Sequence, residues 1–126
     1  MSASNAKTDL HKILIIEDEG DMCLLIELLL KPKNVELSHV KNLFDAQAFL
    51  KNQHPSLIVL DNRLPDGYGV DFINFVKESY PDIKIVMISG VDAAAQDFAL
   101  ENGADSFLPK PFTKQQLYSS IDSLLN

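Results

Sequence analysis

Asp61 closes a run of four apolar residues, Leu57-Ile58-Val59-Leu60, and is followed by Asn62-Arg63-Leu64-Pro65-Asp66-Gly67. The Ile and Val content favours extended backbone, so the run reads as a strand buried on both faces. Pro presets φ and Gly permits positive φ, so a turn follows. A carboxylate at the tip of a buried strand is held rigidly at a loop mouth, where open α/β sheets place their chemistry. Other reactive groups follow apolar runs in the same way. Glu17 and Asp18 follow Ile13–Ile16, Ser89 follows Ile83–Ile88, and Lys110 comes shortly after Ser106-Phe107-Leu108. In a parallel sheet all these tips share one edge, and strands ~4.8 Å apart would gather Glu17, Asp18 and Asp61. Three such carboxylates do not all ionise comfortably without a cation. Hard oxygen ligands suit Mg²⁺ (or Mn²⁺). An acid nucleophile, a cation site, a hydroxyl and an ammonium make a phosphoryl-transfer site. The metal and Lys110 would neutralise the equatorial oxygens while Asp61 attacks in line.

The elements that must position these groups are legible in the patterning. Strands are expected over Lys12–Ile16, Val35–Val40, Leu57–Leu60, Ile83–Ile88 and Ser106–Leu108. Helices are expected from Asp21 to Leu30, stopped by Lys31-Pro32, and from Leu43 onward, capped by Asn42. Further helices are expected over Val70–Lys77 and from Ala93, capped by Asp92, to the stop pair Asn102-Gly103. A last helix opens on the capping box Thr113-Lys114-Gln115-Gln116. The alternation of strand and helix predicts a single α/β domain. Its sheet is a doubly wound five-stranded parallel one of order 2-1-3-4-5, flavodoxin-like, with five flanking helices.

Composition bounds the rest. The 126 residues carry a formal net charge of −7, are 46% hydrophobic and include one cysteine. That length suits one domain, expected over residues 11–126 behind a disordered tail at 1–10. The charge argues against nonspecific nucleic-acid binding and favours a basic protein partner or a bound cation. Cys23 lies on an apolar helical face and reads as a packed thiol. No apolar run reaches a membrane span and residues 1–9 hold no signal-peptide core, so a cytoplasmic location away from membranes is expected.

The motifs Ile15-Ile16-Glu17-Asp18-Glu19, Ile58-Val59-Leu60-Asp61, Leu64-Pro65-Asp66-Gly67 and Ile88-Ser89-Gly90, followed by the run Gly103–Phe112, occur here in order. With this spacing the chain, from about Lys12 to Leu125, resembles the receiver domain of bacterial two-component response regulators, the CheY-like superfamily. The resemblance implies that Asp61 is the phosphoacceptor. It implies that Asp18 ligates Mg²⁺ directly, that Glu17 helps to hold the ion, and that the backbone carbonyl of Arg63 completes the set. Lys110 would pair with the acceptor and then with the phosphoryl group. Ser89 and Phe107 would be the hydroxyl and aromatic switch residues, acting on the face of the fourth helix, fifth strand and fifth helix. The Lys110–Pro111 bond would be cis. Ser stands where Thr is commoner, Phe where Tyr is frequent, and Glu17 where Asp is usual.

The function so implied is a phosphorylation-dependent signalling switch, not a turnover enzyme. The donor would be a histidine kinase or phosphotransfer protein, and the reader a downstream effector. Arg63 and Val91 would line the approach of the hydrolytic water, and an apolar Val91 predicts slower autodephosphorylation than Glu or Asn at that position would give. Gln96, Ser119 and Ser120 stand where a charged dimer interface would need basic partners, so a monomer or weak dimer is expected. The alternative is a non-phosphorylated pseudo-receiver, although every reactive position is kept. A haloacid-dehalogenase-like phosphatase would need an acid where Arg63 stands. The chain has no P-loop motif.

Overall fold

The computed structural model describes residues 10–90 and 93–125. Val91, the Asp92 cap and the tail through residue 9 lie outside the described residues. Five parallel strands form one sheet: β1 (His11–Ile16), β2 (Val35–Val40), β3 (Leu57–Asp61), β4 (Lys84–Ser89) and β5 (Ser106–Pro109). Their spatial order is β2-β1-β3-β4-β5, the order expected. The helices are α1 (Gly20–Leu30), α2 (Leu43–Asn52), α3 (Gly69–Ser79), α4 (Ala93–Glu101) and α5 (Lys114–Leu125).

Alternation within the strands divides the core in two. Leu14, Ile16, Ile58, Leu60, Ile85 and Met87 face α2, α3 and α4, which contribute Leu50, Phe72, Ile73, Val76 and Ala99. Ile13, Ile15, Leu57, Val59, Val86 and Ile88 face α1 and α5, which contribute Cys23, Ile26, Leu30, Leu117 and Ile121. Successive side chains of a strand point to opposite faces, so an unbroken apolar run is what a sheet covered on both sides needs. Each fully buried aliphatic side chain contributes about 1.5–3 kcal/mol of burial free energy. Cys23 is buried as expected, and burial pushes its thiol up to about 11.

Local signals set the helix ends. The Asn42 side chain accepts the Asp45 N–H at 2.7 Å. Thr113 and Gln116 form the reciprocal box, with bonds of 3.0 and 2.8 Å. After Leu30 the chain makes a 3₁₀ turn over Lys31–Lys33, where Pro32 stands at the start and needs no N–H, and then turns at Asn34 with φ 59°. Gly103, at φ 113°, follows α4. One feature exceeds the expected turn after Asp61. Arg63–Leu64 and Gly67–Tyr68 pair as a short antiparallel ribbon, with Arg63 opposite Tyr68.

Candidate functional site

The sheet register brings the predicted residues together. β1 and β3 are neighbours with Ile16 opposite Leu60, so Glu17 and Asp18 leave the sheet beside Asp61. β4 flanks β3 on the other side, and Ser89 pairs with Pro109 of β5. Asp61 is 5% exposed, Ser89 6% and Glu17 fully buried. Asp61, Ser89 and Lys110 line one cavity of about 790 Å³ together with Asp18, Arg63 and Tyr68.

Lys110 is the cationic centre of this cavity. Its Nζ lies 3.1 Å from Asp61 Oδ1, 3.4 Å from Glu17 Oε1 and 3.7 Å from Glu19 Oε1. Burial alone would lower its pKa, but the charges of Asp61 and Glu17 outweigh that and raise it above the usual lysine value. Glu17 behaves oppositely. Burial, reinforced by the Asp61 charge, pushes its carboxyl up to about 7, against the Glu19 N–H bond and the Lys110 charge. Glu19 N–H donates to Glu17 Oε2 at 3.2 Å. The backbone of Glu17 is also fixed. Its N–H donates to the Val40 carbonyl at 3.1 Å, and its carbonyl lies 2.9 Å from His39 Nε2.

The donor set fits a hard divalent cation. One carboxylate oxygen each from Glu17, Asp18 and Asp61 lies within 4.8 Å of the others. All are oxygen ligands, and Asp18 is exposed, leaving room for water. Burial of Glu17 adds a reason, since a cation would remove the penalty on its ionised form.

The loop after Asp61 is clipped on three sides. Asn62 N–H donates to the Ile88 carbonyl at 3.2 Å, and the Asn62 carbonyl accepts the Gly69 N–H at 2.7 Å. The Asn62 Oδ1 accepts the Val70 N–H at 3.1 Å. Gly69 is required by close approach, because a Cβ there would collide with the Asp61 carbonyl oxygen. Asp66 accepts the N–H groups of Leu43 and Phe44, both at 2.9 Å, and so caps α2 from a distant loop. These bonds, that from Leu43 foremost, hold its carboxyl below the usual range against the opposing effect of burial.

Of the other expected positions, Arg63 is exposed at the cavity wall. The Lys110–Pro111 bond is cis. Phe107 does not line the cavity. It is half-buried against the core beneath α2, α3 and α4, opposite Met87. Sequence reasoning gave no role to Glu19, His39, Asn62, Tyr68 or Gly69. Only Glu19 carried a signal, as the third acid of its run.

Comparison with known proteins agrees with this geometry. Residues 13–122 match the family model described as the response regulator receiver domain. The response regulator protein PilR of Pseudomonas aeruginosa is 34% identical over 91% of this chain, which covers 26% of that protein. The ycf27 transcriptional regulator of Porphyridium aerugineum is 35% identical over 91% of this chain and 48% of its own length. This chain therefore spans about a quarter to a half of these relatives. A CheY-like receiver domain protein from Methanospirillum hungatei superposes with a TM-score of 0.86 at 25% identity, covering 92% of this chain and 94% of that one. The beryllofluoride-activated receiver domain dimer of NtrC4 gives 0.86 at 30% identity, covering 90% and 95%. Among the described residues no helix is long and apolar enough to cross a membrane.

Proposed function

The chain belongs to the response regulator receiver domain family, and from that premise we propose that Asp61 is its phosphoryl acceptor. The observation that carries this reading is the Asp61 carboxylate itself. It is almost wholly buried, 3.1 Å from the Lys110 ammonium, and shares a cavity with the Ser89 side chain. The donor is a phosphohistidine of a kinase or phosphotransfer protein. An Asp61 carboxylate oxygen forms the new P–O bond, the P–N bond breaks, and the imidazole leaves with the bonding pair and takes up a proton. Glu17, Asp18, Asp61 and the Arg63 carbonyl would hold Mg²⁺ or Mn²⁺, which would supply charge neutralisation at the phosphoryl oxygens.

The remaining work falls to the chain's own groups. Lys110 holds the acceptor in place while Asp61 is an anion. Once Asp61 becomes an acyl phosphate its carboxyl is no longer charged, the negative charge left at the site is that of the phosphoryl oxygens, and the ammonium pairs with them. The Ser89 hydroxyl donates to another phosphoryl oxygen, and Phe107 adjusts with it. The α4-β5-α5 face then differs between the two states and is read by an effector. Arg63 and Val91 set the access of water and so the lifetime of the adduct. The domain over 11–126 acts in the cytoplasm, as a monomer or weak dimer, without contacting nucleic acid or membrane.

Intact-mass measurement after incubation with Mg²⁺ and acetyl phosphate tests this reading. One added HPO₃ is expected in the wild type, and none in Asp61→Ala or after chelation of the metal. A wild type that gains nothing, or an adduct that persists in Asp61→Ala, overturns it.

A further inference from the structure

A second cavity, of about 420 Å³, lies between α2 and α3. That is within the ~300–1,000 Å³ range of sites that take a ligand or a cluster of side chains. Leu43, Phe44, Phe72 and Phe75 supply apolar lining, and Tyr68 is a wall shared with the acceptor cavity. Phe44 is 75% exposed and Tyr68 56%. The core does not need the Phe44 ring, because α2 buries Ala46 and Leu50 instead. Single exposed apolar residues are ordinary, but aromatic rings gathered around one concavity are what protein interfaces use as anchors.

The charge around this groove selects its occupant. Asp66 and Asp71 line it, and no Lys, Arg or His does. Asp66 is kept ionised by the two backbone N–H groups it accepts. A second copy of this chain would set acid against acid, at a net charge of −7 per copy. Nucleic acid and anionic lipid are repelled by the same carboxylates.

We propose that the α2–α3 groove docks a basic segment of a partner protein. An aromatic or long aliphatic side chain enters between Phe44 and Phe75, and Arg or Lys residues lie over Asp66 and Asp71. The Phe44 and Tyr68 rings offer faces to the same cations. The site is separate from the phosphoryl chemistry and does not depend on it, although Tyr68 puts the occupant beside the acceptor mouth.

The test uses the whole ¹⁵N-labelled chain and a short amidated peptide of Arg and Leu with one Trp. The control peptide carries Glu in place of Arg. Saturable amide shifts confined to residues 43–47 and 66–75 are expected with the first peptide and none with the control. Phe44→Glu separates docking from plain charge attraction. It adds an acid in the first turn of α2, where an acid is tolerated or favoured, so the fold is retained. Groove docking predicts binding at least about tenfold weaker, the loss expected of an interface anchor. Charge attraction alone predicts binding as tight or tighter. Phe44→Ser, which leaves the charge unchanged, is expected to weaken binding as well. Shifts spread over the whole acidic surface, no saturable binding, undiminished binding to Phe44→Glu, or self-association through this face each overturn the proposal.

Discussion

Glu17 and Asp66 are both carboxylates in loops beyond the C-terminal edge of one parallel sheet, and the fold drives them in opposite directions. Glu17 is fully buried, lies close to the Asp61 carboxylate and has its pKa pushed up to about 7. Asp66 is exposed, accepts two backbone N–H groups at the start of α2 and is held below the usual range. The difference lies in the surroundings. Desolvation and like charge penalise the ionised form at Glu17, whereas N–H donors at a helix N-terminus reward it at Asp66. The acid cluster around Glu17 is therefore strained until a cation arrives, and Asp66 is a structural latch that is satisfied at once.

The sharpest way to break this contrast is to remove Lys110, which touches Glu17, Glu19 and Asp61. Breaking a buried ion pair from one side costs about 3–5 kcal/mol. For Lys110→Met, with its partly exposed ammonium, the metal-free domain is expected to lose about 3 kcal/mol in urea denaturation. Millimolar Mg²⁺ is expected to restore much of that loss by mass action. An unchanged midpoint would show that the acids are not in tension.

The pH dependence comes next in size. The folded chain keeps a proton on Glu17 that the unfolded chain releases above its ordinary value near 4.5. Its contribution is therefore fully present below about pH 4.5 and is lost as pH rises through about 7, by up to roughly 3 kcal/mol. Metal-free stability measured from about pH 5 to about pH 8 should fall on this account, and saturating Mg²⁺ or Asp61→Asn should flatten the slope. Asp66 contributes with the opposite sign. Its stabilisation is present above its unfolded pKa and is lost as pH falls through the lowered folded value. The smallest effect is expected for Asp66→Ala, which removes the two bonds from Asp66 to the start of α2 but leaves the Asn42 cap, and costs about 1 kcal/mol, or a melting temperature lower by about 4 °C. A loss that is present at neutral pH and vanishes in the acid range, where the wild-type carboxyl is protonated too, would tie it to the carboxylate.

Much of this is legible in the amino-acid sequence. Asn42 and the Thr113–Gln116 box bond within three residues of themselves, so spacing alone placed them. The strand tips were readable because an apolar run ending in a polar residue marks where a buried strand leaves the sheet. Asp66 was read as a turn residue, because its partners Leu43 and Phe44 lie more than twenty positions upstream. His39 met the Glu17 carbonyl for the same reason, since β2 returns beside β1 only after a helix and a turn. The ribbon beyond Asp61, and the need for glycine at 69, arise from backbone passing close behind the acceptor.

The amino-acid sequence by itself determined five strand–helix units, the parallel order of the sheet and the edge on which the reactive groups gather. These follow from periodicity and local hydrogen bonds, which act over a few residues. Tertiary structure alone decided which carboxylate is buried and which is solvated. It also decided that Lys110 serves three acids at once, and that Tyr68 walls both the acceptor cavity and the α2–α3 groove. Those outcomes depend on distances between loops remote in the chain, and packing sets such distances.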